Sequence, residues 1–418
     1  MIRNPLDLAV AVFAATAACG PLQPATPRPQ VAFCGRELPL DTTVVYCYSR
    51  RSSDFPMFTR SEPARITNLS ALYELRELVD LEIDGAPDLT DLSALEGASR
   101  LRRLVLNGAP ITDLSPLARL HQLEVLELPS ASAGDLSPLA QLTQLRVLVL
   151  HSPEVNDLLP IARLERLERL ALGRSSVVNT SALSGLRALR SVALGPALRE
   201  LGGLEAAPLL EELDISGSAV TDLAALAHKQ HLRRLAADGA RIESLEPLAN
   251  LPALQELRLD GTPIQSLAPL ANLPALREVH LQRTRVHDLS PLVGCPGLTD
   301  LDLDHAAISS LETLRGIRAL RTISINETMV ADLSPLVTAT KLEEVHAIGT
   351  RVADLRPFAT MSDLSTVMLD STRVSDVTPL LHLKKLKLVT LPTSVPAAQV
   401  AELRAMGVRL KYTGVQPQ

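Results

Sequence analysis

The chain has 418 residues, 46% of them hydrophobic and 2% aromatic, with no Trp and a formal net charge of −6. The acidic balance argues against nucleic acid as the main partner, and charges interrupt the Leu-rich segments too often for a membrane span. That length would ordinarily divide into about two or three globular domains, a division that an internal repeat makes unnecessary.

At the N-terminus, Arg3 precedes an apolar run from Leu8 to Ala18, and Ala17-Ala18-Cys19 closes it. A run this short suits a secretory signal better than a bilayer span. Small residues before a Cys resemble the cleavage site of bacterial lipoproteins, which implies lipidation of Cys19. Thr16, where that family prefers Leu, and Asp7 beside the apolar run depart from the pattern, so plain secretion stays open. Residues 1–19 therefore read as a lipoprotein-like signal peptide. The protein reads as exported, either a cell-envelope lipoprotein or secreted, with a lipid at Cys19 as its membrane contact.

Residues 20–63 read as an N-terminal cap with an insertion at 48–63. Cys34 and Cys47 flank a strand-like segment at 43–47 and can form a disulfide in an oxidising compartment. Six of the nine aromatics lie between residues 33 and 73: Phe33, Tyr46, Tyr48, Phe55, Phe58 and Tyr73. Arg50, Arg51, Arg60 and Arg65 accompany them. The group either plugs the open end of the core or anchors a partner.

From residue 64 to 393 the pattern L-x-x-L-x-x-L-x-L recurs with a period of 22 in 15 copies. Leu101/Leu104/Leu106, Leu123/Leu126/Leu128 and Leu145/Leu148/Leu150 are successive examples; the copy ending Leu210/Leu213/Ile215 follows a one-residue deletion. The L-x-L core alternates with period two and predicts a short strand with Leu inward. The following Asp113-Leu114-Ser115-Pro116 type of segment suits a short helical turn, capped by side-chain oxygens and tolerant of Pro. One unit cannot bury its Leu face alone, so the units stack, with parallel strands joined by crossovers. Fifteen strands would make a sheet about 70 Å long. Cys295 takes the place of a buried Leu and reads as a buried free thiol.

These motifs resemble the bacterial leucine-rich-repeat family, specifically the 22-residue class of internalins. The resemblance implies an α/β repeat fold: a curved horseshoe with a parallel concave β-sheet and short helical or 3-10 turns on the convex side. It implies a non-catalytic, monomeric scaffold for macromolecules. That class carries Asn three residues after the last Leu of each strand. Here Ala109, Ser175, Ser218, Thr262, Thr284, Thr328, Thr350 and Thr372 occupy the position, so a Ser/Thr hydroxyl ladder to the neighbouring turn can replace the Asn ladder, incompletely where Ala stands. Residues 394–418 form the C-terminal cap. In it Pro396 to Met406 reads as a helix with Val400, Leu403 and Met406 on one face, and Val408 to Tyr412 as a last strand.

The outward strand positions are the residue before each L-x-L core, its middle residue and the one after it. They hold 15 acids and 4 arginines, a formal −11 on a chain whose total is −6. The acids concentrate at Glu212, Asp214, Asp238, Glu256, Asp260, Glu278, Asp300, Asp302 and Asp304. This face reads either as a docking surface for a basic protein or peptide, or as solubilising charge that salt screens. A Ca²⁺ site at Asp300, Asp302 and Asp304 is disfavoured, because side chains of one strand wrap a cation poorly. His280 and His346 face the same side but read as too far apart to act together. No catalytic, nucleotide, cofactor or metal motif is present. A structural envelope role, or an enzyme using clustered carboxylates, are the alternatives; an open sheet offers no water-excluding pocket for the latter.

Overall fold

An extended chain sends alternate side chains to opposite faces, and the L-x-L cores become strands for that reason. Leu104 and Leu106 are fully buried, while Arg103 and Asn107 around them stay partly exposed. The computed structural model describes residues 29–48 and 66–411. The signal segment with Cys19, the insertion with its arginines and phenylalanines, and Tyr412 lie outside the described residues.

A hairpin of β1 (Gln30–Phe33) and β2 (Arg36–Pro39) opens the fold. Next come β3 (Val44–Tyr48), β4 (Asp80–Asp84), β5 (Arg103–Asn107), β6 (Val125–Leu128), β7 (Val147–Leu150), β8 (Arg169–Leu172) and β9 (Ser191–Leu194). Then follow β10 (Glu212–Asp214), β11 (Arg234–Ala236), β12 (Glu256–Arg258), β13 (Glu278–His280) and β14 (Asp300–Asp302). The series ends with β15 (Thr322–Ser324), β16 (Glu344–His346), β17 (Thr366–Met368), β18 (Leu388–Thr390) and β19 (Arg409–Lys411). From β3 to β19 each strand pairs in parallel with the next in chain order. Among the described residues β3 pairs only with β4 and β19 only with β18, so the sheet is open at both ends. The repeats supply β4 to β18; each cap adds one strand outside them.

The N-terminal hairpin is tied to the sheet by a disulfide between Cys34 and Cys47, with Cα atoms 6.1 Å apart. Phe33 and Cys47 are buried in the end of the core. At the other end α1 (Ala397–Ala405) presents Leu403 inward. Met406 does not share that face: it is 40% exposed, because the helix has ended before it. Cys295 is a buried free thiol, and burial pushes it above the ordinary thiol range.

Between strands the chain makes 3-10 turns of three to five residues. A 22-residue unit leaves little length for anything longer, and 3-10 geometry suits short pieces. Asp113 accepts the Ser115 N–H at 2.8 Å, and Asp135, Asp288 and Asp332 do the same two residues ahead. These bonds favour the ionised carboxylate. At Asp113 and Asp135 the serine hydroxyl contributes most and its N–H next; at Asp91, Asp288 and Asp376 the N–H leads. All five carboxyls lie below the ordinary Asp value of 3.8. The unfolded chain therefore binds more protons, so their stabilisation is present above that value and lost as pH falls through the folded values. Urea midpoints should be level above about pH 5 and fall steeply below about pH 4. Asp113→Asn combined with Asp135→Asn should flatten that fall; an unchanged acid limb would assign it to other carboxylates.

The hydroxyl ladder takes a different form from the one expected. Thr262, Thr284, Thr328, Thr350 and Thr372 donate to the carbonyl three residues earlier in their own repeat, at 2.6 to 2.7 Å. A Thr side chain is too short to reach the next turn when its own strand end lies closer. Each hydroxyl closes a turn within its repeat, and the contacts between repeats come from elsewhere.

One buried polar group escaped the sequence reading. Lys229 is 5% exposed and stands where other repeats place Leu120, Leu142, Leu251 and Leu273. Its Nζ donates to the carbonyls of Glu205 and Ala207, each at 2.9 Å. Those carbonyls belong to the shortened repeat, which turns through Gly203 at φ +92. A Cβ at Gly203 would lie 2.6 Å from the Thr180 carbonyl oxygen, so only Gly fits. The signal was visible as a Lys in a column of leucines directly after the deletion.

Candidate binding face

Strand register places the outward residues in columns. Glu256, Glu278 and Asp300 are direct neighbours on β12, β13 and β14, as the spacing predicts. The middle column runs His280, Asp302, Ser324, His346 across β13 to β16.

The acids differ in what they touch. Asp238 accepts the Asp260 N–H at 2.9 Å, and Asp260 accepts the Gln282 N–H at 2.8 Å. Asp304 accepts the Asn326 N–H at 2.8 Å, and Asn326 in turn accepts the Ile348 N–H at 2.7 Å. Asp304 also accepts from the Asn326 side chain at 2.9 Å and the Ser324 hydroxyl at 2.6 Å. These side chains form the ladder between repeats, at the residue following each L-x-L core. Burial pushes the Asp260 carboxyl up, more than the Gln282 N–H pulls it down. Asp302 accepts the Gln282 side chain at 2.6 Å and the Asp304 N–H at 3.1 Å. Asp214 caps Ser216 at 3.0 Å, and Glu212 accepts the Ser191 hydroxyl at 3.2 Å.

Cations neutralise other members. Arg234 pairs with Glu256 and Arg258 with Asp238, both at 3.0 Å. At the N-terminal end Arg103 bridges Asp80 at 2.9 Å and Glu82 at 2.7 Å. Tyr46 donates to Asp80 there, and burial followed by that carboxylate pushes its phenol up to about 12. Glu278 and Asp300, by contrast, have no hydrogen-bond or ion-pair partner among the described residues.

Both of these carboxylates line a shallow depression of about 370 Å³ over β13 to β16. His280 and His346 line it as well, three strand steps apart in the same column. The curvature of the sheet and the two short residues between them, Asp302 and Ser324, leave both imidazoles on one hollow. Among the described residues no Lys or Arg lines it. His280 Nδ1 lies 4.0 Å from Asp302, and His346 Nε2 lies 3.6 Å from Glu344. The Ser324 hydroxyl is committed to Asp304, so it is part of the ladder. Among the described residues no three His, Cys, Asp or Glu side chains gather as a metal site requires.

The face changes character toward the N-terminus. On β5 to β9 the outward residues include Val105, Val125, Val147, Val149, Ala171 and Ala193, with Glu127 the only acid. Val125 and Val147 are half-buried, and Val105, Val149 and Ala171 are buried. Burial, then Arg174 and Arg169, hold the His151 imidazole below its ordinary range, so it adds no charge at neutral pH.

The fold recurs in solved structures. An internalin of Listeria monocytogenes matches with a TM-score of 0.63 at 25% identity, over 76% of this chain and 87% of that one. A leucine-rich-repeat protein of Leptospira interrogans matches at 0.74 and 18% identity, over 83% and 93%. This chain is a leucine-rich-repeat solenoid. The functional domain of InlJ from Listeria monocytogenes, which includes a cysteine ladder, is also similar, at 0.60 and 18% identity over 77% and 76%. This solenoid has a lone Cys in its repeats and builds its ladder from carboxylates and amides. No protein-family model matches the sequence, and no curated protein does.

Proposed function

We propose that the solenoid is a non-catalytic scaffold that holds a basic segment of a protein or peptide on the acidic part of its concave face. The observation that carries this reading is the hollow over β13 to β16. Glu278 and Asp300 reach it without a side-chain partner among the described residues, beside Asp302 and with no cation of the described residues in the lining. A carboxylate already engaged by its own fold has little to offer a ligand; an unengaged one gains a charge-assisted bond on binding. The leucine-rich-repeat proteins that share the fold support a binding role rather than a reaction. An open hollow supports it too, since it excludes no water.

The setting we infer is outside the cytoplasm. The Cys34–Cys47 disulfide supports an oxidising compartment. Among the described residues no helix is long and apolar enough to cross a membrane. Attachment through a lipid on Cys19 completes the reading, and the mass of the mature N-terminus tests it.

The binding test uses a fluorescent Arg-rich peptide and the full chain. Glu278→Lys with Asp300→Lys should weaken the complex at least about tenfold, and affinity should fall steeply with added salt. Equal affinity for the variant and the original protein, or no response to salt, would remove the acidic face as the docking surface.

A further inference from the structure

The hollow over β13 to β16 sets two imidazoles among its carboxylates. His280 and His346 occupy one column three strand steps apart, about 14 Å at the usual strand spacing. Asp302 stands between them in that column, and Glu278 and Asp300 stand in the next column, two residues back along their strands. A cationic group held by these carboxylates therefore lies within about 10 Å of both rings. The carboxylates of the lining, Glu278, Asp300, Asp302 and Asp304, give it a formal −4, and two imidazolium groups would halve that. Imidazole is the side chain that gains charge between pH 8 and 5, whereas the guanidinium of a basic segment stays charged throughout. Each ring is 25% exposed, so solvent reaches it.

We propose that His280 and His346 make this docking surface release its basic segment on acidification. This inference rests on the acidic-face reading above. Around His280 stand Glu278 on its own strand, Asp302 on β14, Asp260 after β12, and Arg258 on β12, which is engaged by Asp238. Around His346 stand Glu344 on its own strand, the uncharged Ser324 and Met368 on β15 and β17, and Asp304 and Asp370 in the next column. Each imidazolium acts twice on a bound cation. It repels the cation across the hollow, and it draws in a carboxylate: Asp302 lies 4.0 Å from His280 Nδ1, and Glu344 lies 3.6 Å from His346 Nε2. His346 Nε2 is shielded from solvent and has no hydrogen-bond partner among the described residues. A proton there needs an acceptor, and a small rotation brings Glu344 within bonding distance. Bound cation and bound proton therefore oppose each other. The complex holds fewer protons than the free protein, so affinity rises with pH through the imidazole range and falls as the medium acidifies.

Anisotropy of the fluorescent Arg-rich peptide on the full chain reads this directly, at one low ionic strength. Affinity should fall at least about fivefold between about pH 8 and about pH 5.5. Both conditions lie above the window in which the turn aspartates lose their stabilisation, and circular dichroism at each confirms the fold. His280→Gln with His346→Gln should hold the fall below about twofold, while His121→Gln, at an exposed position ahead of β6, should keep it whole. Calorimetry of the unsubstituted chain at about pH 6, in two buffers of different ionisation heat, counts protons directly. Binding should release about half a proton or more, and no release overturns the proposal whatever the variants do. A fall that persists in the double variant assigns the response to carboxylates, which overturns the imidazole gate and leaves the acidic docking surface standing. Level affinity across the two conditions does the same. Failure of the peptide to bind at about pH 8 overturns both.

Discussion

Lys229→Met should destabilise the folded chain by about 3 kcal/mol, although it exchanges a charge for an apolar side chain among leucines. The loss comes from the carbonyls. Lys229 supplies the hydrogen bonds to Glu205 and Ala207 at the one repeat that lacks a residue. Among the described residues the only other donor to the Ala207 carbonyl is the Leu210 N–H, at a long 3.5 Å. Methionine fills the volume and leaves these acceptors buried without a strong donor, which costs more than the ammonium's desolvation returns. Far-UV circular dichroism in urea measures the change. A variant as stable as the original protein would mean that water replaces the ammonium.

The same residue gives an alkaline signature. Burial lowers the Lys229 ammonium from its ordinary 10.5, so between the folded value and 10.5 the unfolded chain binds the extra proton. Stability should therefore rise as pH climbs through that window, and Lys229→Met should lose the rise.

Asp300 and Asp304 stand four residues apart with similar exposure, yet their substitution should have opposite consequences. Asp304→Ala should cost about 2 kcal/mol of stability, because it removes the acceptor for Asn326 and Ser324 and opens the ladder between two repeats. Asp304→Asn keeps an acceptor for the Asn326 N–H and should recover part of the loss. Asp300→Ala should cost almost nothing and can stabilise slightly, since it relieves repulsion from Glu278 on the adjacent strand. Binding of the Arg-rich peptide should follow the other order, weakened by Asp300→Ala. Thermal melts and anisotropy on the three variants distinguish the roles. Similar destabilisation by Asp300→Ala and Asp304→Ala would refute the division of labour.

Much of this protein is local and repeats, and that part is legible in the sequence. Alternation within L-x-L determines which side chains enter the core, so Leu104, Leu126 and Leu148 were readable without neighbours. The period then set the strand count and the register that brings Glu256, Glu278 and Asp300 together. Asp113 could be read as a cap because its target lies two residues ahead.

The tertiary structure decided what lies one strand away. Asp238, Asp260 and Asp304 share the outward acid pattern with Glu278 and Asp300, but a backbone N–H from the next repeat claims the first three. That distinction depends on where a side chain at the strand's end meets the following turn, which spacing alone does not encode. His280 and His346 are 66 residues apart in the chain and share a hollow only through the stacking and curvature of β13 to β16. Lys229 reads as an error in a Leu column until the shortened repeat behind it presents two carbonyls. Contacts inside a repeat follow from chain geometry; contacts between repeats follow from packing, and the available carboxylates of the binding face are those that packing leaves over.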